Sequence, residues 1–224
     1  MQLGLSRKIL FYIFLIIFLS SLNNKYFSEI KLKAIDNITI IGLEGNEKKD
    51  LLYNLEILNL KNIFFLNKSK ITNKLEANNS IENYTIFKIY PSSLEIKVNK
   101  TKLLANVFKD GKSFVLGSNG KLIQSVDKNN YLPNIFGGYE KVSFFNLLKS
   151  IEKSNFELSE IKNLYFFKSG RWDIETNLNV IIKLPKENLE ELLNLSLDIL
   201  NNNKFKKIKI LDLRQDNQVI INGE

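Results

Sequence analysis

The amino-acid sequence predicts an α+β protein with a single N-terminal transmembrane helix, a β-α-α-β-β domain and then a mainly antiparallel β domain with flanking helices. Three observations lead to this fold class. Residues 9–19 form an unbroken apolar run. Residues 36–100 carry strand and helix patterns in the order β-α-α-β-β. Beyond residue 100, β-type runs separated by turn residues outnumber the helical patterns.

The composition excludes several classes of function. The chain has 224 residues, enough for one large domain or two small ones. It has no cysteine and no histidine, which removes disulfides, most zinc sites and the imidazole that most often serves as general acid or base. We therefore expect no enzyme activity, no catalytic residue, no cofactor and no metal site.

The formal net charge of +8 does not indicate nucleic-acid binding. Half of the excess lies in residues 1–33, beside the apolar run. Elsewhere lysines are scattered among acidic residues, and no stripe of alternating basic and aromatic side chains accompanies them.

The N-terminal segment, SRKILFYIFLIIFLSSLNNK, has a cationic start followed by the apolar run. A run of this length is typical of a cleaved signal peptide. No small-x-small cleavage site follows it, however, and its long aromatic side chains suit a retained anchor. We expect a cytoplasmic tail at residues 1–8, a transmembrane anchor at 9–22 and a linker at 23–35. Cleaved or retained, the segment places the bulk of the chain outside the cytoplasm.

Residues 36–100 form the first predicted domain. ITIIGLEGN is typical of a short strand followed by a turn. Leucines at helical spacing predict a helix over residues 51–58, and a weaker pattern predicts a second helix that contains Ile71 and Leu75. In YTIFKIYPSSLEIKV, two strand-type runs flank Pro91, which predicts a hairpin.

Residues 101–224 form the second predicted domain. In chain order, its predicted elements are a hairpin at 113–123, a helix at 144–151, an antiparallel meander of strands at 161–168, 171–176 and 179–184, and a helix at 185–203. The chain closes with IKILDLRQDNQVIINGE, where two β-type runs flank RQDNQ. A strand at the edge of a sheet is a template for another chain, so it is either protected or used.

The only tryptophan lies in SGRWDIE, residues 169–175. In a strand, Trp172 and Ile174 face one side while Arg171, Asp173 and Glu175 face the other. We interpret this segment as a core tryptophan with a solvated charged face rather than as a catalytic site. No phosphate-binding loop is present, because GLEGN is too short and lacks the lysine of a P-loop.

Several blocks of the sequence resemble the FtsQ family of cell division proteins, called DivIB in Gram-positive bacteria. ITIIGLEGN and FKIYPSSLEIKV are similar to the POTRA domain of that family, and LPNIFGG, RWDIETNLNVIIKLP and IKILDLRQDNQVII are similar to blocks of its β domain. The resemblance covers residues 5–222 in order and spacing. The chain departs from the family pattern at VNKTKLLA, after the POTRA hairpin, and at Gly117, where the family often has Asp.

The resemblance implies a POTRA domain at residues 36–100 and an FtsQ-type β domain at 101–224. It also implies a non-enzymatic scaffold of the divisome in the inner membrane at the septum. Such a scaffold recruits the bitopic partners FtsB and FtsL, contacts other divisome membrane proteins and links early division proteins to septal wall synthesis. In the family, the last strand of the β domain receives a short FtsB segment as an added strand.

From this resemblance we predict that partners contact the DLR block and the final β-type run. The residues are Ile210, Leu211, Leu213, Arg214, Val219, Ile220 and Ile221. Because alternate residues of a strand face the core, about half of these are expected to be packing residues. For Arg214, the alternative role is an ion pair with Asp212 or Asp216.

Two other classes of function remain open from the sequence. One is a POTRA-containing envelope transport or outer-membrane assembly factor, although the chain shows no repeated POTRA unit and is short for a β-barrel. The other is a secreted binding or enzyme module released by signal cleavage.

Overall fold

The computed structural model describes residues 6–22, 33–57, 62–125, 129–202 and 208–223. The helices are α1 (Arg7–Leu22), α2 (Gly45–Glu56), α3 (Lys68–Glu76), α4 (Lys141–Lys153) and α5 (Leu189–Asn201), with a 3₁₀ turn at Leu158–Glu160. The strands are β1 (Asn37–Ile41), β2 (Ile81–Ile89), β3 (Ser93–Lys100), β4 (Leu103–Lys109), β5 (Lys112–Gly117), β6 (Leu122–Gln124), β7 (Asn134–Phe136), β8 (Ile161–Phe166), β9 (Trp172–Thr176), β10 (Ile181–Lys183), β11 (Ile208–Asp212) and β12 (Ile220–Gly223).

The N-terminal apolar run forms helix α1, which has 16 residues. At 1.5 Å per residue it is about 24 Å long, whereas the hydrocarbon core of a bilayer is about 30 Å thick. In the part of the chain that the structure describes, no helix combines the length and the apolar character needed to cross a membrane. The transmembrane anchor predicted at residues 9–22 is therefore not confirmed.

The chain divides into two compact units, residues 1–74 with 85–97, and residues 75–84 with 98–224. In the first unit, strand β1 pairs in parallel with β3, and the order in the three-stranded sheet is β1-β3-β2. The β-α-α-β-β order predicted from the sequence is confirmed, as is the hairpin of β2 and β3 around Pro91. The buried apolar residues of this unit are Ile40, Leu43, Leu51, Leu55, Ile63, Ile71, Leu94 and Ile96.

The second unit contains a nine-stranded sheet in the order β12-β11-β10-β9-β8-β7-β4-β5-β6. The predicted meander is confirmed, since β8, β9 and β10 pair antiparallel, as is the hairpin of β5 and β6. Three pairings are parallel: β4 with β7, β7 with β8, and β10 with β11. The sheet is thus mainly antiparallel, as predicted, but strands β4 and β7 have no counterpart in the sequence-based prediction.

Helices α4 and α5 pack on one face of this sheet. A single row of apolar side chains runs across seven strands of that face: Val107, Ile135, Leu164, Ile174, Ile182, Leu211 and Ile221. The helices contribute Phe144, Leu147, Ile151 and Leu193 to the same core. We call the opposite side of the sheet the open face.

Trp172 belongs to this core, as predicted. It is 2% exposed, and its indole Nε1 donates a hydrogen bond to Ser143 Oγ at 2.9 Å. Its ring lies 4.8 Å from that of Phe166. The prediction of a solvated charged face on the other side of the strand is wrong for Asp173, which is 4% exposed, because neighbouring strands cover it.

Candidate partner-binding edge

Strand β12 is the outermost strand of the nine-stranded sheet. Among the described residues it pairs with β11 alone, in antiparallel register, with Leu211 opposite Ile221 and Asp212 opposite Ile220. All four of its residues are exposed. No strand of the described part of the chain pairs with its other side, whose backbone donors and acceptors could therefore accept a further strand.

Three apolar residues lie on or next to this edge. Val219, Ile220 and Ile221 are 40%, 51% and 37% exposed. They alternate across the two faces of the sheet, so a strand added here would find apolar contacts on both sides.

The other predicted contact residues fall into two groups. Leu211 and Leu213 are 0% and 2% exposed and belong to the core under α4 and α5. Their predicted role in partner contact is corrected, because the packed helices leave them no surface. Ile210 is half-buried and lies opposite Asn222 of β12, and Arg214 is exposed just after β11, so both have surface available.

Arg214 forms the ion pair with Asp212 that the sequence left as an alternative. The Arg214 Nε donates to Asp212 Oδ1 at 2.7 Å, and Nη2 donates to Oδ2 in the same pair. These hydrogen bonds hold the pKa of Asp212 below its usual range. The Arg214 side chain remains 38% exposed, so its pairing does not remove it from the surface.

A row of charged side chains leads from the middle of the open face to β12. Register places Asp173 opposite Lys183, Lys183 opposite Asp212, and Asp212 opposite Ile220. Burial raises the pKa of Asp173 despite Arg171, whose Nε reaches its Oδ1 only at 3.4 Å. The pKa values of Asp173 and Asp212 are thus shifted in opposite directions, because only Asp212 forms two close hydrogen bonds with an arginine.

A ladder of asparagines crosses the open face further along, and the sequence analysis did not find it. Asn134 Nδ2 donates to Asn163 Oδ1 at 2.7 Å, and Asn163 Nδ2 donates to Glu175 Oε2 at 2.8 Å. The Tyr165 hydroxyl donates to the same Glu175 oxygen at 2.6 Å. These bonds hold the pKa of Glu175 below its usual range.

Asn106 continues the ladder into the next strand and is 8% exposed. Its Nδ2 donates to the carbonyl oxygens of Asn129 and Leu132 at 2.8 and 3.0 Å, which fixes the loop before β7. The one sequence signal for this ladder is polar residues at matched positions of neighbouring strands, and it can be recognised only once the pairing of the strands is known.

Fold and edge together describe a protein with a small POTRA-like unit and a large sheet that ends in an exposed strand. The family model for the FtsQ-type POTRA domain matches residues 33–100, and the model for the C-terminal domain of cell division protein FtsQ/DivIB matches residues 105–214. The chain belongs to the FtsQ/DivIB family of cell division proteins.

Individual relatives agree with these matches. Cell division protein FtsQ of Rickettsia bellii is 27% identical over 194 residues, which are 84% of this chain and 71% of that protein. Cell division protein FtsQ of Rickettsia felis is 26% identical over 237 residues, with 98% of this chain and 86% of that protein covered. The solved major extracytoplasmic domain of DivIB from Geobacillus stearothermophilus is similar at 13% identity and a TM-score of 0.34, over 42% of this chain and 87% of that one.

Proposed function

We propose that this protein is a non-enzymatic scaffold of the divisome, which recruits FtsB/FtsL-type bitopic partners and links early and late division proteins to septal wall synthesis. Membership of the FtsQ/DivIB family supports the role in division. The observation that carries the recruitment step is the exposed edge strand β12.

The edge can supply both affinity and selectivity for an extended partner segment. Main-chain hydrogen bonds to β12 do not depend on the partner's sequence, whereas contacts with alternate side chains do. Ile220 and Val219 offer apolar contacts, and Ile210 lies on the neighbouring strand. Arg214, beside the edge, adds a positive charge that remains partly accessible.

The proposal includes attachment to the inner membrane through α1. The apolar side chains from Ile9 to Leu19 are each at least 39% exposed in the structure. A helix that is apolar on all sides needs an apolar environment, which lipid or other helices would provide. Confinement of scaffold and partners to one membrane raises their effective concentration, so that a modest interface suffices.

A pull-down with the periplasmic parts of an FtsB–FtsL pair from the same organism tests the recruitment step. The chain with and without residues 216–224 is compared, and circular dichroism checks that both versions are folded. We expect binding by the full chain and loss of binding by the truncated chain, because β12 is removed. Equal binding by both versions would place the interface elsewhere.

A point variant distinguishes a loss of binding at strand β12 from a loss of binding caused by general unfolding. Ile220→Lys puts a charge on an exposed residue of β12, and we expect at least about fivefold weaker binding, because an apolar contact at the centre of an interface contributes about 1 kcal/mol or more. Leu178→Lys is the matched control, since Leu178 is 77% exposed in the β9–β10 turn. Equal affinities for the two variants would contradict a docking role for β12.

A further inference from the structure

The turn before α3 and the turn between β2 and β3 together expose three aromatic rings. Phe64, Phe65 and Tyr90 are 56%, 80% and 58% exposed, and the rings of Phe64 and Tyr90 lie 5.1 Å apart. We call this group the aromatic tip. Soluble surfaces seldom expose large adjacent apolar side chains unless they contact something.

The aromatic tip is held in a defined conformation. Asn62 Oδ1 accepts hydrogen bonds from the backbone N–H groups of Phe64 and Phe65, both at 3.0 Å. Lys88 Nζ donates to the carbonyl oxygen of Ile63 at 2.7 Å, which ties the turn to strand β2. The two phenylalanines are thus presented to solvent by an ordered turn.

The register of the sheet places the aromatic tip at the end where the chain arrives from α1. Strands β1 and β3 are parallel, with Asn37 opposite Ser93, and the Asp36 N–H donates to the Ser92 carbonyl at 3.1 Å. Tyr90 lies in the turn that leads into β3 and is therefore at the same end as the start of β1. Ten residues separate Leu22 of α1 from Lys33, a span of at most about 35 Å.

Positive charge follows the aromatic tip along the chain. Lys68, Lys70 and Lys74 follow it on α3 and are exposed, and no acidic residue lies between Phe64 and Lys74. Aromatic rings favour the interface between water and lipid, and lysines are attracted to anionic headgroups by about 1 kcal/mol each.

We propose that the aromatic tip contacts the surface of the membrane in which α1 is held, with Phe64 and Phe65 among the headgroups and Lys68 and Lys70 against anionic lipid. This inference rests on the membrane attachment in the proposed function. Contact at the tip would fix the orientation of the first unit relative to the bilayer, which a tether alone does not do.

The experiment uses the full chain in lipid nanodiscs at one chain per disc, so that self-association cannot shield the tip. Because the chain has no cysteine, Phe65→Cys introduces a unique thiol for a nitroxide label. We expect the label to be several-fold less accessible to a water-soluble nickel complex in discs that contain anionic lipid than in purely zwitterionic discs. In the anionic discs, replacing Lys68 and Lys70 by Gln should weaken docking about fivefold per lysine.

Lys109→Gln with Lys112→Gln removes the same charge from an exposed turn of the second unit and is expected to leave the label unchanged. A label equally accessible in both kinds of disc overturns the inference. A label that is protected from the nickel complex regardless of lipid charge and of the two lysines also overturns the inference, since the tip would then contact protein. If the chain does not co-elute with the discs, it is not attached to the membrane at all. That result contradicts the proposed attachment through α1 rather than the contact made by the aromatic tip.

Discussion

At the scale of single residues, Gly137 is a position where only glycine fits. Its φ of +93° lies in a region that other residues rarely adopt, and a Cβ there would meet the Phe166 carbonyl oxygen at 2.3 Å. The backbone at Gly137, directly after β7, therefore lies too close to the end of β8 for a side chain at that position.

We expect Gly137→Ala to lower the free energy of unfolding by at least about 2 kcal/mol, because both strain and a backbone clash result. Gly138→Ala is the matched control, since no atom lies within 4 Å of its Cβ position and its φ is not positive. Urea denaturation of the two variants measures the difference. Similar stabilities would mean that β7 and β8 can separate at little cost.

For the predicted contact residues of β11, the sequence could not show which side chains are buried and which are exposed. IKILDL places apolar residues at Ile208 and Ile210 and also at Leu211 and Leu213, so two opposite phases of the strand are equally apolar. The structure resolves this with an irregularity between Ile208 and Ile210, after which Leu211 faces the core. Sequence alternation alone could not decide which pair is buried.

At the scale of elements, α5 covers the core side of the sheet near the candidate edge. Leu193 is 0% exposed, whereas Leu195, two residues later, is 37% exposed. We expect Leu193→Ala to cost about 2–5 kcal/mol of stability, because a buried cavity results. Leu195→Ala should cost much less, and thermal unfolding of both variants provides the measurement. Equal losses would mean that α5 is rotated relative to its position in the structure.

The elements predicted correctly are those with a clear period over several residues, such as α4, α5 and the β8–β10 meander. Strand β7 has three residues, too few to show alternation. Strand β4 has four consecutive buried residues, from Leu104 to Val107, so no alternation is present to detect. The parallel pairings of β7 with its neighbours depend on contacts distant in sequence and could not be predicted from local patterns.

At the scale of the whole molecule, the absence of histidine should give a flat stability profile near neutral pH. The pKa values of Asp212 and Glu175 are lower in the folded chain than their ordinary values of 3.8 and 4.5. Their ionised forms therefore stabilise the fold fully above those ordinary values, and this contribution is lost as the pH falls through the lower folded values. The contribution of Asp173 to the pH dependence has the opposite sign. Burial raises its pKa, so protonation at low pH relieves the cost of burying its charge.

We expect the urea midpoint to be constant between about pH 6 and 8 and to fall below about pH 4. Asp212→Asn should cost about 1–3 kcal/mol at pH 7 and less at pH 3, because the stabilisation that comes with the lowered pKa of Asp212 is complete only above its ordinary value of 3.8. Asp216→Asn, at an exposed position, serves as control. An equal loss at both pH values would show that Asp212 acts through packing rather than through its charge.

The short strand β7 joins two parts of the large sheet that are otherwise separate in their pairing. Strands β4, β5 and β6 lie on one side of it, and β8 to β12 lie on the other. Only two residue pairs link β7 to β4, and three link it to β8. We call the pairings of β7 with β4 and β8 the seam of the sheet. The asparagine ladder crosses this seam with side-chain hydrogen bonds where backbone pairs are few. Amide protons along the seam should consequently exchange with solvent before those of the β8–β10 meander, and the ladder sets how often the sheet opens there.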